Sequence, residues 1–110
     1  MELETVGKIK VIRLGSRLDA VTGASLHEQI NNFANEGWVN ILIDMGNLKF
    51  ISSYGLGVLA SSAKRLKGQG GSVKLARMSH DVKVPFEITG TLPHFEIYDD
   101  CEKAIESFKG

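Results

Sequence analysis

The chain has 110 residues, a length typical of one compact domain, and 43% of them are hydrophobic, enough to build a single core. Thirteen basic and thirteen acidic side chains cancel, which argues against a dedicated nucleic-acid-binding protein, since such domains usually carry a basic excess. The single cysteine excludes an internal disulfide and a cysteine-based metal cluster. No apolar run approaches the ~20 residues that cross a bilayer, and the acidic N-terminus lacks the apolar core of a signal peptide. We therefore expect one domain over residues 1–110 in the cytoplasm, without a metal, a cofactor, a membrane contact or direct binding to nucleic acid.

The first half of the chain predicts a strand, a helix and a second strand. Alternating apolar and basic residues predict a strand over Thr5–Leu14, and the first twenty residues fit either one bent strand or a hairpin. A helix is predicted from Thr22 onward. Gly37 ends it, because glycine is common just past the C-terminus of a helix. Its apolar stripe consists of Leu26, Ile30, Phe33 and Ala34. The nearly continuous apolar run Val39–Met45 is typical of a central strand buried on both faces.

The second half alternates helices and strands in shorter segments. A helix is predicted directly after Ser52 and Ser53, with basic residues near its end and glycines beyond it. The later predicted segments are a strand over Ser72–Met78, a short helix over Val82–Thr89, a strand over Phe95–Tyr98 and a helix that starts near Cys101 and is capped by Asp99 or Asp100. This order predicts an α/β fold with helices packed on a parallel or mixed sheet.

The stretch Phe50–Gly57 carries the strongest functional signal. Its two serines lie where a strand leads into a helix, and the N–H groups at a helix start lack intrahelical partners and favour negative charge. We expect Ser53 to be the N-cap, its hydroxyl accepting from a backbone N–H two or three residues on. A capping serine is exposed enough to be phosphorylated, so the two roles are compatible. Gly55 and Gly57 are costly in a helix and let backbone or a partner approach closely.

Other chemistries find less support in the sequence. The stretch from Gly55 to Ala60 fits the loose dinucleotide pattern G-x-G-x-x-G/A, but the predicted buried strand ends near Met45, well before the glycines. No P-loop sequence is present, and a Ser/His/Asp hydrolase built on Ser53 lacks the G-x-S-x-G elbow. The three histidines are not in metal-ligand spacing, and two of them are expected in loops. Asp44, at the end of the buried strand, is expected to hydrogen-bond the following turn.

Several segments together resemble the STAS domain family, in particular its stand-alone anti-sigma factor antagonists. They cover nearly the full length of the chain. The segments are Gly15–Ala20, similar to the turn before the family's first helix; Ile41–Met45, similar to its central strand ending in aspartate; Phe50–Gly57, similar to its signature; and Ile88–Gly90 with Phe95–Asp99, similar to its closing segment. The resemblance implies a single-domain α/β fold with a four- or five-stranded mixed sheet flanked by about four helices.

The resemblance also implies a bacterial regulatory switch without enzymatic activity of its own. In the family, the unphosphorylated antagonist binds an anti-sigma factor that is also a serine kinase, which frees a sigma factor for transcription. The kinase then phosphorylates a serine at a helix start, the complex falls apart, and a phosphatase resets it. Aligned on Gly55, Leu56 and Gly57, Ser53 takes the phosphoacceptor position.

Two residues beside this serine depart from the family pattern. The family has aspartate where this chain has Ser52, and serine or threonine where it has Tyr54, so Ser52 becomes a second candidate acceptor. The predicted docking face comprises the Asp19 loop, the surface around Ser53 and the exposed side of the helix over Gly55–Lys67, with Leu56 and Gly57 in its first turns. The alternative is a STAS protein-binding or scaffold subunit that is not phosphorylated and in which Ser53 is only a cap.

Overall fold

The computed structural model describes residues 1–109, which form seven strands and four α-helices. The strands are β1 Glu2–Val6, β2 Ile9–Arg13, β3 Arg17–Leu18, β4 Asn40–Asp44, β5 Phe50–Ile51, β6 Ser72–Ala76 and β7 Glu96–Tyr98. The helices are α1 Ala20–Asn35, α2 Ser53–Gly68, α3 His80–Thr89 and α4 Cys101–Phe108. Within these residues, no helix combines the length and apolar character required to cross a membrane.

Five of the strands form one mixed sheet in the order β1-β2-β4-β6-β7, and β3 pairs with β5 in a separate two-stranded sheet. Strand β1 runs antiparallel to β2, whereas β2, β4, β6 and β7 are parallel to one another. Parallel neighbours require crossover connections, which α1, α2 and α3 provide. The predicted α/β fold, a four- or five-stranded mixed sheet flanked by about four helices, is confirmed, with five strands in the large sheet and four α-helices among the described residues.

The two faces of the large sheet are covered unequally. On one face, apolar residues of β2, β4 and β6 pack against α1, α2 and α3 in the main core. On the other face, a smaller cluster lies under α4 and consists of Ile9, Val11, Leu42, Ala76 and Ala104. Strand β4 contributes to both, with Ile41 and Ile43 facing one core and Leu42 the other. The prediction that this strand is buried on both faces is confirmed.

The segment predicted as a single strand over Thr5–Leu14 instead contains the end of β1, a turn and the whole of β2, which together belong to a hairpin. The strand breaks at Gly7, which adopts φ +59°, a left-handed conformation that glycine accepts without steric cost. The apolar residues on either side of this turn, Val6 and Ile9, are three positions apart, so the alternation changes phase where the strand breaks. Of the two arrangements open for the first twenty residues, the hairpin is the one that forms.

Residue Lys74 is buried, although it alternates with apolar residues in a strand. Its ammonium donates to Ser107 Oγ at 2.8 Å, lies 3.5 Å from a Glu96 carboxylate oxygen and sits 4.5 Å from the centre of the Phe108 ring. Helix α4 supplies two of these three partners. The face that alternation marks as polar is therefore closed over by the last helix.

Two histidines predicted in loops lie in helical structure. His80 is the first residue of α3, which Ser79 caps by accepting from the Val82 N–H at 3.3 Å. His94 ends a 3-10 turn over Leu92–His94. Helix α3 starts two residues earlier than predicted. The prediction took the first apolar residue, Val82, as the start of the helix, whereas the capping residue, Ser79, lies further upstream.

Candidate functional site

The site is organised by the short parallel pair of β3 and β5. Leu18 and Ile51 are register partners, and the backbone N–H of Ser52 donates to the Leu18 carbonyl at 2.9 Å. The next residues in each segment, Asp19 and Ser52, are the N-caps of α1 and α2. Pairing of the strands thus brings two helix starts side by side, although they are 33 positions apart (52 − 19) in the chain.

Helices α1 and α2 leave this pair in the same direction and remain in contact along their length. Near their N-termini, a Cβ added to Gly55 would lie 2.7 Å from the Leu18 carbonyl oxygen, so only glycine fits. Near their C-termini, the Arg65 guanidinium donates to the side-chain oxygens of Asn31 and Asn35. The positive ends of both helix dipoles therefore open on the same end of the molecule.

Asp19 caps α1 with a reciprocal capping box. Its carboxylate accepts from the backbone N–H groups of Val21 at 3.1 Å and Thr22 at 3.0 Å, and its own N–H donates to Thr22 Oγ1 at 2.9 Å. These bonds, chiefly those from the Thr22 backbone and hydroxyl, hold the pKa of Asp19 below its usual value. The cap also explains why α1 begins at Ala20, two residues before the predicted start.

The N-cap of α2 is Ser52, and the prediction that Ser53 fills this position is wrong. Ser52 has extended backbone, and its hydroxyl accepts from the Gly55 N–H at 3.0 Å. Ser53 is the first residue of the helix itself. The one-residue difference arises because the pairing of β5 with β3 ends at Ile51, which sets the residue at which the chain turns into the helix.

Ser53 is exposed at the first helical position. The first-turn N–H groups around it favour an anionic group. Gly57, one turn on along the same helix face, is exposed with no atom within 4 Å of an added Cβ. Leu56, in contrast, is buried in the main core. Among residues 1–109, no three His, Cys, Asp or Glu side chains are placed to hold a metal ion.

Three exposed apolar side chains surround the paired helix starts. Val21 is 76% exposed, Tyr54 49% and Phe50 43%. Val21 and Tyr54 occupy the same position, the second residue, of their two helices. The Arg17 guanidinium lies 4.5 Å from the centre of the Phe50 ring and 3.4 Å from an Asp19 carboxylate oxygen. We call the three apolar residues, Val21, Phe50 and Tyr54, the apolar rim.

Sequence reasoning named Tyr54 as a site residue and singled out the stretch that begins with Phe50, but it missed Val21. It also missed Gly23, a buried residue of α1 that lies beneath the Tyr54 ring. A glycine in the second turn of a predicted helix is a signal that was available, because it costs about 1 kcal/mol relative to alanine. Val21 carries no local mark, since its proximity to the others depends on the pairing of β3 with β5.

Asp44 anchors the loop that leads to β5. It is 3% exposed, and it accepts from the Gly46 N–H at 3.0 Å, as expected for a residue that hydrogen-bonds its own turn. Two guanidinium groups also reach it, Arg77 at 3.1 Å and Arg13 at 3.4 Å. Arg77 has φ +63°, an uncommon conformation for a side chain of this size. These partners satisfy a buried carboxylate that would otherwise be costly.

Comparison with known proteins establishes the family. The STAS domain profile matches residues 1–104, and the chain belongs to the STAS domain family. It is similar to the anti-sigma-B factor antagonist of Bacillus subtilis, 27% identical over 86% of each chain. It is also similar to the anti-sigma-F factor antagonist RsfB of Mycobacterium tuberculosis, 24% identical over 93% of this chain and 83% of that protein.

Among solved structures, the chain is similar to the anti-sigma factor antagonist SpoIIAA of Bacillus, at 25% identity. The unphosphorylated form of SpoIIAA superposes with a TM-score of 0.88, covering 99% of this chain and 96% of that one. Its phosphorylated form superposes with a TM-score of 0.78 and covers 96% of each chain. The fold is therefore shared with proteins solved in two phosphorylation states.

The division of roles between the two serines predicts different costs for their removal. Ser52→Ala should lower the free energy of unfolding by about 1 kcal/mol, because it deletes the N-cap acceptor of α2. Ser53→Ala should change it by less than about 0.5 kcal/mol, as is usual for an exposed position. Urea unfolding followed by circular dichroism measures both. A larger loss in Ser53→Ala than in Ser52→Ala would contradict the assignment of the cap.

The lowered pKa of Asp19 predicts that part of the stability is lost in acid. A carboxylate with a lowered pKa in the folded state stabilises the fold above its unfolded pKa, and this contribution disappears as pH falls through the folded value. Asp19→Asn keeps a good cap acceptor but cannot titrate. Urea midpoints measured between pH 5 and pH 2 should therefore fall less steeply in Asp19→Asn than in the wild type. Parallel curves for the two proteins would contradict the role of Asp19.

Proposed function

We propose that this STAS protein is an anti-sigma factor antagonist that is active when unphosphorylated and switched off by phosphorylation of Ser53. In this proposal its partner is an anti-sigma factor with serine kinase activity, and binding frees a sigma factor for transcription in the cytoplasm. The kinase transfers the terminal phosphoryl group of ATP to Ser53 Oγ, which loses its proton, and ADP leaves. A serine phosphatase restores the hydroxyl by hydrolysis.

The observation that carries the proposal is an exposed serine at the start of α2 whose neighbour, Ser52, already provides the cap. The hydroxyl of Ser53 is therefore available without cost to the helix. The apolar rim beside it offers the kind of exposed apolar surface that marks a protein interaction site. The similarity to anti-sigma factor antagonists such as RsfB, and to SpoIIAA in its unphosphorylated and phosphorylated forms, supports the same function.

Phosphorylation at this position should act on the interface and leave the fold intact. The phosphate brings a charge near −2 to the positive end of the helix dipole, where anions are favourable. In a complex, the same charge would have to be buried against the partner or would repel it. A loss of ~4 kcal/mol in binding is close to a thousandfold in affinity, enough for a switch.

The first experiment tests phosphorylation directly. Each anti-sigma factor encoded by the organism that carries this chain is purified and incubated with the protein, ATP and magnesium, and the product is analysed by intact mass and site mapping. One phosphate that disappears in Ser53→Ala supports the proposal. A phosphate that persists in Ser53→Ala and disappears in Ser52→Ala moves the acceptor to Ser52. Binding without any phosphate, with a control substrate modified, would identify a constitutive binding subunit instead.

A negative charge at Ser53 should weaken binding, and the same charge elsewhere on α2 should not. Ser53→Asp is expected to reduce affinity for the anti-sigma factor at least tenfold, while its free energy of unfolding stays equal or rises by about 0.3–1 kcal/mol from the dipole. Gln69→Glu, exposed at the C-cap of α2 and thus at the opposite end of the helix from Ser53, is the matched control and should bind as the wild type does. Isothermal titration measures the affinities. Equal weakening in both variants would point to a general charge effect and count against the switch.

Exposure of Gly57 predicts opposite effects of one substitution on stability and on binding. Gly57→Ala meets no protein atom within 4 Å, so it should raise the free energy of unfolding by about 0.5–1 kcal/mol through helix propensity. If the partner lies against this face of α2, the added methyl group should lower affinity. Thermal unfolding and titration with the anti-sigma factor test the two effects. A variant that is stabilised and binds normally would place the interface away from Gly57.

A further inference from the structure

The Tyr54 ring rests against Gly23 so closely that a side chain at position 23 would press on it. A Cβ added to Gly23 would lie 3.0 Å from both Cδ2 and Cε2 of the ring, closer than ordinary van der Waals contact. Gly23 is buried, and its backbone N–H donates to the Asp19 carbonyl at 2.7 Å. The ring therefore lies across the gap between α1 and α2, with one edge on the α1 backbone and half of its side chain in solvent.

The position of this ring is unusual for a large exposed side chain. Of the six large hydrophobic residues exposed among residues 1–109, three, namely Val21, Phe50 and Tyr54, lie within two positions of an N-cap of α1 or α2. Tyr54 directly follows Ser53. Any partner that covers the Ser53 hydroxyl must also accommodate the phenol ring. Because the ring is already supported by Gly23, little conformational entropy remains to be lost when a partner covers it.

We propose that Tyr54, held in place by Gly23, is a specificity-determining residue that selects which anti-sigma factor docks at Ser53. This inference rests on the proposed function and adds the chemistry of the partner surface. The matching anti-sigma factor would carry an apolar recess that receives the ring, with a hydrogen-bond acceptor for the phenol hydroxyl. Tyrosine suits such a role because it presents a large, rigid side chain with a polar tip. An anti-sigma factor without the recess would be rejected by overlap with the ring.

The test begins with the panel of purified anti-sigma factors, each titrated with the wild type and with Tyr54→Ala. For the preferred anti-sigma factor, Tyr54→Ala should lower affinity at least tenfold. For the others, affinity should stay the same or rise, so that the ratio between partners shrinks. Tyr54→Phe isolates the hydroxyl and should lose about threefold to tenfold. Ile88→Ala removes an exposed apolar side chain at the far end of α3 and serves as the matched control with unchanged affinities.

A double-mutant cycle then separates support of the ring from a general effect on the fold. Gly23→Ala should displace the ring and lower affinity several-fold in the wild-type background. In the Tyr54→Ala background the same substitution should change affinity by less than twofold, because the group that it displaces is gone. Thermal unfolding of all four proteins shows whether they remain folded under the binding conditions.

The outcomes distinguish this inference from the proposed function. Strong binding of an anti-sigma factor that is indifferent to Tyr54→Ala would overturn the role of Tyr54 and leave the proposed function standing. Equal weakening toward every member of the panel would show a contact without selectivity and would also overturn it. If Gly23→Ala weakens binding equally in both backgrounds, Gly23 does not act through the ring. Failure of every anti-sigma factor to bind the wild type would reject the proposed function, and this inference with it.

Discussion

The pairing of β3 with β5 is the constraint on which the site depends. It amounts to two residues in each strand, yet it joins Leu18 to Ile51 and places the caps of α1 and α2 side by side. The bond from the Ser52 N–H to the Leu18 carbonyl closes this pair at its end. Gly55 lets α2 approach the same carbonyl, and a methyl group there would collide with it. Without this contact the residues of the apolar rim, which belong to α1, β5 and α2, would not lie next to one another.

The two serines at the start of α2 differ in structural role, and in the proposed function Ser53 is the one that is regulated. Ser52 uses its hydroxyl for the cap, so Ser53 is left exposed at a position where an added negative charge favours the helix. A phosphate on Ser53 would therefore have its effect through the bound partner. This arrangement suits the proposed switch, which must be reversible: the protein would stay folded in both states and would bind again once the phosphate is removed.

Glycine occurs at three positions near the site, and the physical reason differs from one position to the next. Gly55 is needed for the approach of α2 to β3, and Gly23 provides the surface under the Tyr54 ring. Gly57 has no neighbour in the protein, so its cost to the helix has no compensation within the folded chain. In the proposed function, the approach of a partner accounts for it. Composition treats the three alike, and only their surroundings tell them apart.

The sequence by itself determined the features that depend on local order. The buried strand predicted over Val39–Met45, a cap of α4 at Asp99 or Asp100, the turn role of Asp44 and the STAS resemblance all follow from residues close together in the chain, where periodicity and capping chemistry act directly. Of the two candidate caps, the structure uses Asp100. The tertiary structure decided what depends on distant contacts. It assigned the cap to Ser52 because β3 sets where β5 ends, it buried Lys74 because α4 folds over the sheet, and it brought Gly23 under Tyr54 because the two helices pack in parallel. Those contacts join segments about 30 residues apart, and a local pattern carries no record of them.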